Sequence, residues 1–234
     1  MSLNGQRVLV IGGASGIGHA VAEAAIAGGA SVTIASTNAD KVKAAAEALG
    51  AAAATIDVRD EAGVAAFFTA SGPFDHVVTT AGDWGGQRGK GLKELDLDAA
   101  RSAFDVRFWG ALALAKHGAF TERGSLVLTD GTFAHMPMKG SAVSTAAAGA
   151  IEHLSRALAV ELAPIRVNCV CPGLIHTAVW DAMPPGRLEA MSARQLIPRA
   201  GTPAEAAEAY LYLMRATFTT GQVILVEGGS LLGR

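Results

Sequence analysis

Residues Gly12-Gly13-Ala14-Ser15-Gly16-Ile17-Gly18 separate a β-branched run, Arg7–Ile11, from an amphipathic segment, Gly16–Ala27, that carries Val21, Ala25 and Ile26. Glycines at 12, 16 and 18 permit a tight turn, let backbone N–H groups approach an anion and allow a helix to pack closely on a strand. Strand, glycine turn and helix in this order predict a βαβ unit with a pyrophosphate site at the helix N-terminus, of the kind that binds a dinucleotide. The bland alternative is a set of glycines that only make a turn. No Lys-Ser/Thr follows Gly18, which argues against a P-loop.

The same alternation continues along the chain. Short β-branched runs at Arg7–Ile11, Ser31–Ser36, Ala54–Ile56, His76–Thr80, Ser125–Thr129, Ile165–Val170 and Gln222–Val226 predict strands. Longer Ala-rich segments at Gly16–Ala27, Ala39–Leu49, Glu61–Ala70, Leu97–Ala115, Ala142–Leu162 and Pro203–Arg215 predict helices. The expected fold is α/β, a Rossmann-type doubly wound parallel sheet of about seven strands with helices on both faces. No linker or repeat divides residues 1–234, so one domain is expected. Two irregular stretches, Gly82–Gly91 and Gly173–Gly201, follow strands and belong at the carboxyl edge of the sheet, where such folds bind ligands.

Composition narrows the function classes. Half the residues are hydrophobic and 17% are charged, which raises a membrane reading. A spanning helix needs about 20 consecutive apolar residues. The longest charge-free run, Ala24 to Ala39, is interrupted by Gly28, Gly29, Ser31, Thr33, Ser36, Thr37 and Asn38. A net charge of −2 supplies no attraction to nucleic acid or anionic lipid, so a small-molecule substrate is the expected partner. Cys169 and Cys171 alternate along one strand, an arrangement that suits neither a disulfide nor a zinc site, and no metal is expected. Unpaired cysteines and an N-terminus without an apolar core point to the cytoplasm.

The Gly-x-x-x-Gly-x-Gly spacing resembles the short-chain dehydrogenase/reductase family, and further matches follow in order. Asp57-Val58 resembles the adenine-contacting pair after the third strand. Thr80-Ala81-Gly82 resembles the end of the Asn-Asn-Ala-Gly motif, with Thr79 and Thr80 in place of both asparagines. Pro172-Gly173 with Ile175 and Thr177 resembles the nicotinamide clamp, and Arg166-Val167-Asn168 precedes it as in the family. The resemblance implies cofactor contacts from Gly12, Ser15, Gly16, Ile17, Gly18, Asp57, Val58, Thr80, Ala81, Gly82, Pro172, Gly173, Ile175 and Thr177. It also implies a homodimer or homotetramer, with Leu97–Ala115 and Ala142–Leu162 as the usual contact surface.

An acidic residue at the end of the second strand selects NAD, and a nearby Arg selects NADP. This chain has Ser36-Thr37-Asn38 there. No carboxylate repels a 2′-phosphate and three groups can hydrogen-bond one, so NADP is favoured over NAD. Lys41 and His19 are candidates for added charge, or else solvated surface residues.

The family's Tyr-x-x-x-Lys pair, in which the cation lowers the phenol pKa, aligns with Ser144 and Ala148. Its substrate-orienting Ser aligns with Gly131 and its helix Asn with Arg107. The chain resembles a divergent branch that keeps the glycine loop without the active-site Tyr, including Ala134-His135-Met136-Pro137. His135 is the best substitute for proton transfer, the alternative being that it caps or packs its loop. Arg107 suits carbonyl polarisation or anion binding, the alternative being a pair with Asp130 or Asp105. Ser144 is a weak third candidate, and no His or Asp partner gives it a hydrolase setting. Asp130, Thr132, Lys139 and Asp83 are further polar candidates. Trp84, Trp109, Trp180, Met183 and Met191 are candidate pocket residues or plain core, and His176 is expected to point to the cofactor or the pocket entrance.

Two functions stay open. One is an NAD(P)-dependent oxidoreductase acting on a carbonyl or alcohol with a relocated proton donor. The other is an inactive NAD(P)-binding sensor or partner subunit. The polar and apolar groups of the substrate loops favour the enzyme.

Overall fold

In the computed structural model, residues 2–82, 89–181 and 183–233 are described. Asp83 and Trp84 lie outside them. The strands are β1 (Arg7–Ile11), β2 (Ser31–Ser36), β3 (Ala52–Thr55), β4 (Phe74–Thr79), β5 (Phe120–Thr129), β6 (Arg166–Pro172) and β7 (Val223–Val226). They form one seven-stranded sheet in the order β3-β2-β1-β4-β5-β6-β7, with every pairing parallel. The order reverses between β1 and β4, which opens a crevice at their carboxyl ends.

Successive side chains of each strand serve opposite layers. Val8 and Val10 of β1 join Val32 and Ile34 of β2 in one buried cluster. Helices α1 (Gly16–Ala27), α2 (Ala39–Leu49) and α8 (Pro203–Arg215) cover it. Leu9 and Ile11 face the other way, with Val77, Leu126 and Leu128. Their cover is α3 (Glu61–Ser71), α5 (Gly110–His117) and α6 (Ala142–Glu161). Burial on both faces is why the strands read as continuous apolar runs.

Some boundaries differ from the sequence expectation. The helix expected over Leu97–Ala115 is α4 (Leu97–Phe104), a π turn over Asp105–Trp109, then α5. A π turn inserts a residue into the helical ladder and re-aims its side chains. It carries Arg107, and it is followed by Gly110, where an added Cβ would stand 2.5 Å from Val58 Cγ2. β5 begins at Phe120 rather than Ser125, because Phe74 pairs with Phe120 across a stretch whose Thr121-Glu122-Arg123 hides the strand pattern. β3 is a nearly pure alanine run, made a strand by pairing with Thr33–Ser36. A short helix, α7 (Arg187–Ser192), stands in the segment expected to be irregular.

Candidate active site

The glycine loop is built by steric necessity. Gly12 has φ 85° and Gly16 φ 57°, left-handed backbone that glycine adopts without strain. An added Cβ on Gly18 would lie 2.4 Å from both the Gly12 carbonyl oxygen and Thr80 Oγ1. One on Gly16 would meet Thr177 Cγ2 at 3.3 Å, so the loop faces the clamp across a narrow gap. Ser15 sits at the N-cap of α1 without capping it through its side chain. Its hydroxyl instead accepts from Lys41 Nζ at 3.4 Å. Open amides at a helix N-terminus, glycines that permit backbone approach and a lysine alongside fit a dinucleotide pyrophosphate.

At the end of β2, Ser36 Oγ donates to the Asn38 carbonyl at 3.1 Å, and Asn38 Oδ1 caps α2 by accepting from Lys41 N at 2.8 Å. Thr37 is exposed. The cap thus fixes the start of the helix that carries Lys41 to the glycine loop. Asp57 accepts from Arg59 at 2.7 Å, and this pairing holds its carboxyl below the usual range. Val58 is buried against Gly110, and Ala81 packs on the core beneath α5. Gly82 lies against the Arg107 guanidinium, where an added Cβ would be 2.2 Å from Nη2.

Next to the cradle opens a cavity of about 710 Å³, bordered by Ile17 and Thr80 on the loop side and by Pro172, Gly173, Ile175 and Thr177 on the clamp side. Trp180, Met191 and Thr132 also line it, whereas Trp109 is exposed on the helix surface. Among the described residues, Met183, Lys139 and His176 do not line the wall.

Of the four positions that the resemblance assigns to catalysis, the structure brings Arg107 and Gly131 to the cavity wall, beside Asp130. Arg107 Nη1 donates to the carbonyls of Thr129 and Asp130 at 3.2 and 3.3 Å. Ser144 and Ala148 are buried on α6 and do not line the wall, and neither does His135.

Behind the wall lies a feature that the sequence reading did not assemble. Asp130, at the carboxyl end of β5, is 2% exposed, and among the described residues no N–H or hydroxyl donates to its carboxylate oxygens, which lie beside the Cys169 and Cys171 thiols. Glu152, one helical turn beyond Ala148, is also buried, and its carboxyl meets that of Asp130. Burial, and then the neighbouring Glu152, push the Asp130 carboxyl up to about 8, because like charges cannot both ionise in a dry site. Glu152 Oε1 lies 2.5 Å from His135 Nε2, and Glu152 Oε2 lies 3.6 Å from Arg156 Nη2. Burial also raises the Cys169 and Cys171 thiols well above their ordinary range. Buried Tyr210 braces the strand end through Thr129 Oγ1 at 2.8 Å, and that hydroxyl meets the Thr79 carbonyl at 2.6 Å.

Asp130, His135, Glu152 and Cys171 place donor atoms within 4.8 Å of one another. Two ligands of one zinc ion, each about 2.0–2.3 Å from the metal in a tetrahedron, stand more than about 3 Å apart. The 2.5 Å between His135 Nε2 and Glu152 Oε1 is shorter than that, a close ionic contact between the two side chains. The signal for Glu152 was a carboxylate eight residues after Ser144, on the same helix face.

Comparison with known proteins agrees with this architecture. Residues 12–230 match the family profile described as enoyl-(acyl carrier protein) reductase. The short-chain dehydrogenase/reductase ATR9 of Stachybotrys chlorohalonatus is 36% identical over 99% of both chains. The enzyme of the same description, fsr5, from Gibberella fujikuroi is 38% identical over 98% of this chain and 96% of its own. Among solved structures, a small-chain dehydrogenase in complex with NADPH superposes with a TM-score of 0.83 at 32% identity, covering 98% of this chain and all of the other. The MalC reductase/Diels-Alderase of Malbranchea aurantiaca gives 0.88 at 31% identity, covering 98% and 96%. The chain belongs to the short-chain dehydrogenase/reductase family, a class of NAD(P)-binding oxidoreductases on the Rossmann fold.

Proposed function

We propose that the protein is an NADP(H)-dependent oxidoreductase of a carbonyl/alcohol pair, with Asp130 standing in for the family's tyrosine as proton donor. The observation that carries this reading is the buried carboxyl of Asp130, pushed up by burial and by Glu152, on a residue of the cavity wall between the glycine cradle and the Pro172-Gly173 clamp. A carboxylic acid that stays neutral near pH 7 can protonate an oxygen on which negative charge develops.

NADPH, when bound, supplies the hydride, and the chain's own groups do the rest. Gly12, Gly16 and Gly18 admit the pyrophosphate, with Ser15 at the N-cap of α1 beside it. Ser36, Thr37, Asn38 and Lys41 favour the 2′-phosphate because no carboxylate ends β2. Arg107 at the wall orients and polarises the substrate oxygen. The apolar sides formed by Met136, Trp180 and Met191 suit a hydrophobic carbonyl compound and exclude water. Ser144 receives no role in transfer, being buried away from the wall, and His135 acts from behind it.

The absence of Tyr and Lys at 144 and 148 supports membership of a branch with its own acid. The NADPH-bound structural relative and the reductase named among the neighbours support cofactor and reaction class. Isothermal titration with the four nicotinamide cofactors tests the first half, with micromolar NADPH binding expected. NADPH oxidation across a panel of hydrophobic ketones, aldehydes and imines tests the second. Tight binding with no turnover of any of them in the wild type would reject the enzyme in favour of a sensor or partner subunit.

A further inference from the structure

Asp130 is 2% exposed, so a proton it gives to a substrate has to be replaced from within the protein. Among the described residues its two carboxylate oxygens have no N–H or hydroxyl donor, only the neighbouring Cys169 and Cys171 thiols, and the acidic group they meet is the carboxyl of Glu152, 5% exposed on α6. Two carboxylates in contact repel, whereas one proton between them turns the contact into a hydrogen bond. Glu152 is in turn 2.5 Å from His135 Nε2, and the His135 side chain is one-third exposed. A continuous line of proton-carrying groups therefore runs from the cavity wall to solvent, drawn from the end of β5, the middle of α6 and the turn after β5.

We propose that Glu152 and His135 form a proton relay that reloads Asp130, with Glu152 as a positioning residue that touches neither substrate nor cofactor. The inference rests on the reading of Asp130 as the acid. In the reducing direction the Asp130 O–H bond breaks as the alcohol O–H bond of the product forms. Loss of the shared proton leaves both carboxyls charged; Glu152 then takes a proton from the Nε2 of His135 and passes it to Asp130, and His135 is reprotonated by water. The protein itself is neither oxidised nor reduced, and the sum is one solvent proton consumed per hydride transferred.

The charged and titratable neighbours fit this direction of flow. Arg156, one turn along α6, lies 3.6 Å from the second Glu152 oxygen and keeps that end of the carboxylate oriented. Arg107 donates through Nη1 to the backbone carbonyls of Thr129 and Asp130, at the base of the Asp130 side chain. Cys169 and Cys171 of β6 flank the pair as neutral thiols, since burial raises both. Ala148, one turn before Glu152, adds no charge to the site.

The test uses the cofactor-free protein and the working enzyme side by side. Carboxyl-selective 13C NMR of the cofactor-free wild type, with the Asp130 signal assigned from Asp130→Asn, follows the shared proton directly. Glu152→Gln is expected to lower the Asp130 midpoint by more than about one pH unit, as loss of a like charge requires. An unchanged midpoint overturns the shared proton. In turnover, His135→Ala is expected to reduce kcat about tenfold or more, to leave NADPH affinity unchanged and to regain activity when imidazole is added. Wild-type kcat in His135→Ala, or a loss that imidazole does not restore, overturns the relay, because a residue that only packs its loop is not replaced by free imidazole. If the wild type turns over no carbonyl compound, the enzyme reading fails by itself, and the NMR titration still decides whether Asp130 and Glu152 share a proton.

Discussion

Thr80 is fastened to Ile11 twice, its backbone N donating to the Ile11 carbonyl at 2.9 Å and its Oγ1 reaching the same oxygen at 3.2 Å. The first residue past β4 is thereby tied to the last residue of β1, at the point where the strand order reverses. That hydroxyl also closes the space over Gly18, so the glycine cradle and the switch-point crevice are one packed unit. A threonine does here, through its side chain, what a second backbone bond would otherwise have to do.

This packing makes Gly18→Ala a sensitive probe of the cofactor site. A methyl there meets the Gly12 carbonyl and Thr80 Oγ1 at 2.4 Å, and neither belongs to a flexible side chain. NADPH affinity measured by titration calorimetry should fall by about two orders of magnitude or more, roughly 3 kcal/mol of binding free energy. Gly149→Ala is the matched control. Its Cβ would meet nothing within 4 Å in the middle of α6, so chemical denaturation should show a gain of about 0.5–1 kcal/mol with cofactor affinity unchanged.

Lys41 is the basic side chain that meets the glycine loop at Ser15, at 3.4 Å. Lys41→Ala should weaken NADPH more than NADH, by about tenfold in the ratio of dissociation constants, as expected of one charge partner lost to a phosphate. Equal weakening of both cofactors would place Lys41 on the pyrophosphate and move 2′-phosphate recognition to Ser36, Thr37 and Asn38.

Asp130→Asn separates chemistry from binding and carries a stability signature of its own. Loss of the general acid should reduce kcat by about 10²–10⁴ while the NADPH dissociation constant holds. Wild-type reduction should decline as pH rises through about 8, where the acid form is lost. The folded carboxyl is raised from 3.8, so the native state keeps a proton that the unfolded chain has released. Stability therefore falls as pH rises from about 4 to 8 and levels off above, by an amount of the order of a few kcal/mol. Denaturation of Asp130→Asn across that range should lack this slope and show a more stable protein at pH 8.

Much of this was legible in the sequence, and the reasons for the remainder are physical. Helices α1, α2 and α8 appear with the boundaries read from the pattern, because each has its start marked locally. Gly16 follows a glycine turn, Asn38 caps Lys41, and Thr202 with Glu205 forms a capping box ahead of Pro203. The π turn at Asp105–Trp109 left no trace, since helical periodicity cannot show one inserted residue that is fixed by the packing of Gly110 on Val58. Arg107 was read as a group for carbonyl polarisation or anion binding, or else as a partner of Asp130 or Asp105, and its Nη1 meets the backbone carbonyls of Thr129 and Asp130, contacts invisible in side-chain composition. The Asp130–Glu152–His135 line joins residues from two elements that are brought together only by α6 packing on the sheet. His135 alone therefore looked like an isolated histidine, and Glu152 like an ordinary helical carboxylate.

His76 offers a check of the core that is independent of any cofactor. It sits in β4, 2% exposed, with Nδ1 2.8 Å from Ser125 Oγ and Nε2 3.1 Å from Gln6 Oε1. A neutral imidazole has one donor and one acceptor, which matches a hydroxyl on one side and an amide oxygen on the other. Burial, and then the positive charge of Arg166, hold its pKa down at about 4. The folded value lies below the unfolded value of 6.5, so the stability this residue contributes is complete above about pH 6.5 and is lost as pH falls toward 4. The loss amounts to roughly 2–3 kcal/mol, since the unfolded chain gains a proton that the native state refuses. His76→Gln, which keeps a donor and an acceptor without titrating, should be less stable at pH 7 because its packing is less complete. Its stability should nevertheless vary less between pH 7 and 4 than that of the wild type. Parallel pH slopes in the two proteins would show that His76 takes up its proton in the folded state, and that the Ser125–His76–Gln6 chain opens to water more readily than its burial implies.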